Sequence, residues 1–360
     1  MVASEVGGVA LITEGDWAAE PRGGRPLRDT ADQPEAVWVV LSNVLPMRYR
    51  SLGNSGLVVS VVGLGCNNFG GRLDRDGTRA VVDAAIDAGV TLLDTADMYG
   101  RDAGSERLLG EVLQGRRDQV VLATKFGHQG HDMGYGVAAG AKGGRAYIRR
   151  AVTESLRRLR TDFIDLYQLH TPDPSTPIEE TLAALDELVA EGKVRYIGHS
   201  NLSGWQIADA AHLAARDRRT PFVSAQNHWS LLERTAESEV VPAARHFGLG
   251  VLPYFPLANG LLTGKVRRGQ PVPENSRLAQ RAGYVTDAKL DKVEALISWA
   301  REHGVSVLDV AIGALAAEPG CTSVIAGAMT PEQVKANVAA GEWVPSAAEL
   351  AEIDVIAPAP

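Results

Sequence analysis

Apolar and amphipathic segments alternate through most of this chain, and that alternation constrains its fold more than any other feature of the sequence. From residue 61 onwards, each short apolar run is followed by a stretch whose apolar residues recur at helical spacing, which predicts a strand and then a helix. The predicted strand and helix pairs are residues 61–65 and 78–88, 91–94 and 105–113, 120–124 and 145–158, 163–169 and 178–191, 194–200 and 205–215, 222–226 and 237–247, 249–253 and 306–316, and 323–326 and 330–340. Eight such pairs favour a closed (β/α)8 TIM barrel of the α/β class over an open sheet.

Five segments interrupt or precede this rhythm. Residues 48–59 hold two short apolar runs around an Asn/Gly turn, which predicts a β-hairpin that could plug the bottom of the barrel. Two extra helices are predicted at residues 288–302 and 347–355. Long loops at 127–144 and 258–287 follow strands three and seven, where such loops usually shape a binding site. The first of them is either a floppy insertion or an ordered lid.

Residues 1–46 do not share the pattern of the rest of the chain. They mix Gly, Pro and charged residues without periodicity, which is typical of a disordered leader. Because Met47 directly precedes the first orderly pattern, we hypothesise that translation starts there and that residues 47–360 form a single barrel domain. A peptide from residues 1–46 in the purified native protein would contradict that start.

The charge and the apolar content exclude several kinds of partner. The formal net charge is −8 and the arginines are scattered, so we expect no nucleic-acid partner. No apolar run approaches the ~20 residues of a membrane span, so we expect no membrane association. Cys66 and Cys321 have neither metal nor redox spacing, which predicts free thiols and a cytoplasmic protein. No predicted helix has a second strongly apolar face that would require a partner subunit, so the sequence does not predict the oligomeric state.

Four ionisable side chains follow three neighbouring predicted strands. Asp94 lies at the end of strand two with Tyr99 in the loop beyond it, Lys125 follows strand three, and His170 follows strand four. Taken singly, each has a structural explanation: a turn cap, a core aromatic ring, a buried ion pair and a core hydrogen-bond donor. The carboxyl ends of barrel strands share one mouth, however, so the four groups should converge.

Together these groups suit proton transfer to a developing alkoxide. A Tyr hydroxyl has an ordinary pKa near 10, and a neighbouring ammonium favours its ionised form and so eases proton release. Lys125 can supply that charge, and Asp94 can hold Lys125 in place and keep it protonated. His170 can donate a hydrogen bond to a substrate carbonyl and orient it.

With these residues in view, the chain from Met47 to its C-terminus resembles the aldo-keto reductase family. The motifs that carry the resemblance are Gly63-Leu64-Gly65, Asp94-Thr95-Ala96-Asp97-Met98-Tyr99-Gly100, Leu169-His170-Thr171-Pro172-Asp173 and Gly192-Lys193-Val194-Arg195-Tyr196-Ile197-Gly198-His199-Ser200-Asn201. The resemblance implies that Asp94, Tyr99, Lys125 and His170 are the family's catalytic tetrad. It also implies NADP(H)-dependent reduction of an aldehyde or ketone by direct hydride transfer, with Tyr99 as the general acid.

The resemblance also implies a set of cofactor residues. Ser200, Asn201 and Gln226 match positions that hydrogen-bond the nicotinamide carboxamide, and Tyr254 matches an aromatic position on which the nicotinamide ring stacks. Later positions match the loop over the pyrophosphate and the adenosine end. The complete set is Ser200, Asn201, Gln226, Tyr254, Pro256, Leu257, Lys265, Arg277, Gly327, Met329, Gln333 and Asn337.

Three departures from the family pattern bear on the choice of cofactor. Ala326 stands where the family has Pro, and Phe255 stands where it usually has Ser. Ala328, Met329 and Thr330 supply no cation where many members hold the 2′-phosphate. NADP(H) is therefore implied by the resemblance, and NAD(H) is not excluded.

Other functions and sites stay open at this point. A cofactor-bound regulatory or redox-sensing subunit with little turnover is the main alternative to the enzyme, and a lyase or isomerase with Lys125 as a Schiff base is another. His128 and His131 lack a carboxylate or thiol cluster that would complete a metal site, so we expect no metal there and an exposed loop pair. The substrate is expected to be a small carbonyl compound, which the sequence does not specify further.

Overall fold

The computed structural model of the protein describes residues 47–360 with the exception of Pro273, Asn275 and Ala282. The predicted disordered leader, residues 1–46, lies outside the described residues. Everything that follows concerns the described part of the chain.

A two-stranded antiparallel hairpin precedes the barrel, as predicted. It consists of β1 (Tyr49–Ser51) and β2 (Val58–Ser60), and its turn passes through Gly53 at a φ of +57°, where glycine avoids a steric penalty. Leu52 and Leu57 pack on residues from inside the barrel such as Leu92 and Leu166. The hairpin therefore closes the amino-terminal end of the barrel and leaves the other end free for a site.

Eight parallel strands form the barrel wall in the described part of the chain. They are β3 (Val62–Gly65), β4 (Leu92–Asp94), β5 (Val121–Phe126), β6 (Ile164–Leu169), β7 (Val194–Ser200), β8 (Phe222–Gln226), β9 (Gly250–Val251) and β10 (Val324–Gly327). They pair in chain order from β3 to β9, and β10 pairs with β3. Bridges from Val251 to Cys321 and from Tyr254 to Ile325 join the remaining edges and close the barrel.

Helices surround the strands on the outside. The described helices are α1 (Arg75–Asp87), α2 (Gly104–Val112), α3 (Arg145–Leu159), α4 (Ile178–Ala190), α5 (Gly204–Asp217), α6 (Val240–His246), α7 (Asp287–Glu302), α8 (Val307–Ala317), α9 (Pro331–Glu342) and α10 (Ala347–Ile356). Helices α7 and α10 are the two predicted additions, and they pack on each other and on α8. The predicted (β/α)8 barrel with a hairpin and two extra helices is confirmed. None of these described helices is long and apolar enough to cross a membrane.

Two elements are shorter than predicted by more than one residue, and proline explains both. Strand β9 covers only Gly250–Val251 of the predicted 249–253, because Pro253 has no N–H for the ladder and offers only its carbonyl, to Ile325. Helix α6 begins at Val240 instead of residue 237, which places Pro242 in its first turn, where a missing N–H breaks no helical bond.

Candidate active site

A cavity of about 850 Å³ opens at the carboxyl ends of the strands. Gly65, Asp94, Ser200, Gln226 and Gly327, which are the last residues of five barrel strands, all line it. The cavity therefore lies at the end opposite the hairpin, where side chains from different strands meet.

Lys125 and Asp94 form a buried ion pair beside the cavity. The Lys125 side chain has no exposed surface, and its Nζ donates to Asp94 Oδ2 at 2.7 Å and to the Thr95 carbonyl at 2.8 Å. Burial disfavours the ammonium, but the charge of Asp94 and the contact with Tyr99 outweigh burial, so the pKa of Lys125 is raised. Lys125 is therefore protonated at neutral pH and is not exposed for Schiff-base formation.

The second oxygen of Asp94 is held by two amide side chains. Gln226 Nε2 donates to Asp94 Oδ1 at 2.9 Å, and Gln168 Nε2 donates to the same atom at 3.2 Å. Gln226 Nε2 also lies 3.4 Å from Gln168 Oε1. The sequence analysis did not identify Gln168. It lies on β6, two residues before His170, and this spacing places both side chains on the same face of the barrel wall.

Tyr99 connects this buried pair to the cavity. Its hydroxyl lies 3.4 Å from Lys125 Nζ, and the residue itself lines the cavity. Burial raises the pKa of Tyr99, while the Lys125 charge lowers it by a smaller amount. The ammonium thus acts in the expected direction, but the net effect keeps the phenol protonated at neutral pH.

His170 and His128 line the cavity next to Tyr99. The His170 ring packs edge-on against Tyr99 at 5.8 Å and against His128 at 4.8 Å between ring centroids. Burial and the charge of Lys125 lower the pKa of His170 to about 2, so its imidazole is neutral. The prediction of an exposed loop pair is wrong for His128, which lines the cavity, whereas His131 is exposed. The conformation of the loop determines which of the two histidines is exposed, and residue spacing does not predict that conformation.

A chain of polar side chains lines the wall next to Gln226. Asn201 Nδ2 donates to the His170 carbonyl at 2.9 Å and to Ser200 Oγ at 3.0 Å, and Asn201 Oδ1 accepts from the Tyr254 hydroxyl at 2.8 Å. Asn201 has a φ of +63°, a conformation that asparagine tolerates better than most residues. Tyr254 in turn stacks on His228 with an interplanar angle of 7°. These bonds fix the orientation of the wall before any ligand binds.

Four cationic side chains line the cavity: Arg72, Lys265, Arg277 and Arg281. Among the described lining residues the sole carboxylate is Asp94, which is already paired with Lys125. The charge of the lining therefore favours an anionic ligand.

Arg277 ties the 258–287 loop across the cavity. Its Nη2 donates to Asn67 Oδ1 at 2.9 Å and to Asn68 Oδ1 at 3.0 Å in the loop after β3. Burial and the neighbouring charges of Arg72 and Arg281 lower the pKa of Arg277. The guanidinium groups of Arg277 and Arg281 lie 5.4 and 5.2 Å from the centre of the Phe255 ring.

The end of the cavity near β10 carries amides and no cation among its described residues. Gly327, Met329, Gln333, Ala336 and Asn337 line it. Gln333 Oε1 accepts from the Met329 backbone N–H at 2.8 Å, and Asn337 Nδ2 donates to the Gly327 carbonyl at 3.4 Å. Met329 thus places an apolar side chain in the cavity lining at a position where members of the family often have a charged residue.

The structure brings nearly all predicted site residues to one cavity. All of the residues predicted for cofactor binding line it, as do Asp94, Tyr99 and His170, while Lys125 lies buried directly behind them. Arg72, Met98, Asn259 and Arg281 also line it and were missed, because they sit in irregular loops whose path the sequence pattern does not define.

A second polar cluster surrounds Asp97, in the loop between β4 and Tyr99. Asp97 is 1 % exposed, and neither of its carboxylate oxygens makes a hydrogen bond of good geometry with a described residue, although the nearby Met98 backbone N–H lowers its pKa slightly. Burial and the nearby Glu106 charge raise the pKa of Asp97 to about 7, although Arg158, which donates to Glu106 at 2.6 Å, partly offsets this. Sequence patterns do not reveal that this carboxylate is unpaired.

Comparison with known proteins supports one family. The sequence profile described as "Aldo/keto reductase family" matches residues 61–358. The chain is 40 % identical over 303 residues to "Uncharacterized oxidoreductase YrpG" of Bacillus subtilis, covering 82 % of this chain and 91 % of that protein. It is 36 % identical over 316 residues to "Probable voltage-gated potassium channel subunit beta" of Oryza sativa, covering 83 % and 92 %. It is 34 % identical over 324 residues to "L-glyceraldehyde 3-phosphate reductase" of Escherichia coli, covering 86 % and 92 %.

The fold, the buried pair beside a phenol and the match over most of the chain agree with one another. The chain belongs to the aldo/keto reductase family of oxidoreductases.

Proposed function

We propose that this protein reduces an aldehyde or ketone to an alcohol with NADP(H), and that Tyr99 is the general acid. The observation that carries the proposal is the contact of the Tyr99 hydroxyl with Lys125, 3.4 Å away, while Asp94 holds Lys125 in a fully buried position. A protein that only bound a nucleotide would need neither the phenol nor its ammonium partner.

Tyr99 supplies the proton in this proposal. Its raised pKa keeps the hydroxyl protonated at neutral pH, and an alkoxide is a far stronger base than a phenolate, so the transfer is downhill. The phenolate that remains is stabilised by the adjacent ammonium of Lys125. Asp94 has no contact with substrate in this scheme and serves to orient Lys125.

His170 orients the carbonyl. Its pKa of about 2 excludes it as the acid at neutral pH, because the ring carries no extra proton to give. A neutral imidazole still has one N–H, which can donate to the carbonyl oxygen. The two donors, Tyr99 and His170, then define where that oxygen lies.

The cavity fits a nicotinamide dinucleotide on two counts. The Gln226 side-chain oxygen accepts no hydrogen bond within the described part of the chain, so it is free for a carboxamide N–H. Lys265 and Arg277, both in the 258–287 loop, line the cavity and supply cations that could hold a pyrophosphate. When bound in reduced form, the nicotinamide supplies the hydride.

The choice of NADP(H) over NAD(H) rests on the family and on the total of four lining cations. The apolar Met329 works against it at the adenosine end. NAD(H) is therefore kept as a second cofactor, and direct titration with both dinucleotides separates the two.

The test combines binding with turnover. Fluorescence titration with NADPH and NADH measures the dissociation constants, and loss of nicotinamide absorbance on addition of small aldehydes and ketones measures reduction. We expect Tyr99→Phe to keep its dinucleotide affinity and to lose about 10²–10⁴-fold in turnover. Tyr49→Phe removes an exposed phenol outside the cavity and should match the unsubstituted protein. Equal turnover of Tyr99→Phe and Tyr49→Phe would contradict the assigned role.

A regulatory subunit is the second candidate, because a relative covered over 92 % of its length is named as a potassium-channel beta subunit. That function predicts tight dinucleotide binding with no reduction across the carbonyl panel. It also predicts that Tyr99→Phe changes nothing measurable in solution.

A further inference from the structure

Gln168 is the one buried amide at the catalytic pair that does not reach the cavity. It is fully buried on β6 and is absent from the cavity lining among the described residues. Its Cα pairs in register with Lys125 on one side and with Gly198 on the other. Strand register therefore places Gln168 beside Lys125, while its side chain contacts Asp94 and Gln226.

The Gln168 side chain is tightly packed against the neighbouring strand β7. A Cβ at Gly198 would lie 3.3 Å from Gln168 Cγ, tighter than ordinary van der Waals contact. The Gln168 amide donates to Asp94 Oδ1 at 3.2 Å and faces Gln226 Nε2 at 3.4 Å. The amide therefore completes a triangle of Asp94 and two glutamines inside the barrel.

We propose that Gln168 is a positioning residue for the carbonyl reduction: its amide fixes the rotation of the Asp94 carboxylate, so that Oδ2 stays on Lys125 and Lys125 stays at Tyr99. This inference rests on the proposed function. Gln168 touches neither dinucleotide nor substrate in it and acts only through Asp94.

The two oxygens of Asp94 have different partners. Oδ1 takes both amides and Oδ2 takes Lys125, so each oxygen has a separate role. With one amide removed, Oδ1 keeps a single donor and the carboxylate can rotate about its bond to Cβ. The negative charge near Tyr99 is also less compensated, and a negative charge raises the pKa of a phenol. Loss of the Gln168 amide should therefore make Tyr99 harder to ionise.

Two substitutions separate this role from packing. Gln168→Met keeps the length of the side chain and removes the donor. Gln168→Glu keeps the shape of the side chain and has a donor only while the new carboxyl is protonated. Contact with the Asp94 carboxylate favours that protonated form, because two negative charges in contact repel each other. Ser224→Ala is the control, because Ser224 is equally buried beside Gly198 and makes no hydrogen bond to Asp94 among the described residues.

The first readout needs neither dinucleotide nor carbonyl. The tyrosinate absorbance of each variant is titrated with pH, and the same titration in a Tyr99→Phe background is subtracted to isolate Tyr99. We expect the Tyr99 ionisation constant to fall about threefold to tenfold in Gln168→Met and to stay unchanged in Ser224→Ala. An unchanged Tyr99 titration in Gln168→Met overturns the proposal, even if that variant is less stable.

The second readout is the pH profile of the maximal reduction rate at saturating dinucleotide. Gln168→Glu should match the unsubstituted protein at acidic pH and lose activity as pH rises through a new ionisation that Gln168→Met lacks. Dinucleotide affinity should be unchanged in all three variants. A Gln168→Glu profile parallel to that of Gln168→Met contradicts the positioning role. If no carbonyl is reduced by the unsubstituted protein, the proposed function fails, while the tyrosinate titration still decides the role of Gln168.

Discussion

The unpaired carboxylate of Asp97 gives a prediction about stability that is independent of the reaction. Asp97 is 1 % exposed, its oxygens accept no hydrogen bond of good geometry from a described residue, and its pKa is raised from 3.8 to about 7. The perturbation is Asp97→Asn, which keeps the shape and removes the charge. We expect this substitution to stabilise the protein at alkaline pH.

The sign follows from proton linkage. Between pH 4 and pH 7 the folded protein holds a proton on Asp97 that the unfolded chain has released, so the free energy of unfolding falls as pH rises through this window. A pKa raised from 3.8 to about 7 corresponds to a loss of about 4 kcal/mol in the free energy of unfolding, which is complete above pH 7 and zero below pH 4. The free energy of unfolding of Asp97→Asn should therefore exceed that of the unsubstituted protein by up to this amount at pH 8. Near pH 4 the two free energies should be equal.

Urea unfolding at a series of pH values measures this difference. Subtraction of the Asp97→Asn curve from that of the unsubstituted protein cancels all other ionisations. Asp162→Asn, at an exposed aspartate, is the control and should give a flat difference. A flat difference for Asp97→Asn as well would refute the inference that the carboxylate is buried without a partner.

Three further predictions concern the site and the boundary of the barrel. Lys125→Met should destabilise the protein by about 3–5 kcal/mol in urea unfolding, because it leaves Asp94 buried and unpaired, and Asp94→Asn in the same chain should recover stability without recovering turnover. Arg277→Met should weaken dinucleotide binding about 10–100-fold by fluorescence titration, whereas Arg268→Met, on the same loop but outside the described cavity lining, should not. A chain that begins at Met47 should unfold at the same urea concentration as the full chain and reduce carbonyls equally, and a lower midpoint would contradict the domain boundary.

Much of the fold was predictable because the barrel repeats one local rule. Each buried strand is a short apolar run and each helix an amphipathic one, so residues such as Ile164 and Leu182 fall where periodicity predicts. The exceptions, at Pro242 and Pro253, arise where a single missing N–H shifts the end of an element.

The site was predictable only where side chains are fixed by strand ends. Asp94, Lys125 and His170 follow from strand register, which the sequence pattern defines. His128 and Arg281 depend on the path of irregular loops, and Gln168 depends on which of several buried amides meets a carboxylate. Such contacts link residues far apart in sequence, and no local pattern records them.

The closure of the barrel has a consequence for how the chain is made. Strand β10 begins at Val324 and completes the ring by pairing with β3, which starts at Val62. Until synthesis reaches that point, β3 and β9 are open edges with unpaired backbone groups, and such edges invite pairing with other chains. A nascent chain truncated before Val324 should therefore aggregate and should not fold as a smaller barrel. The open strand edges persist until the last tenth of translation, and until then the chain depends most on chaperones to prevent aggregation.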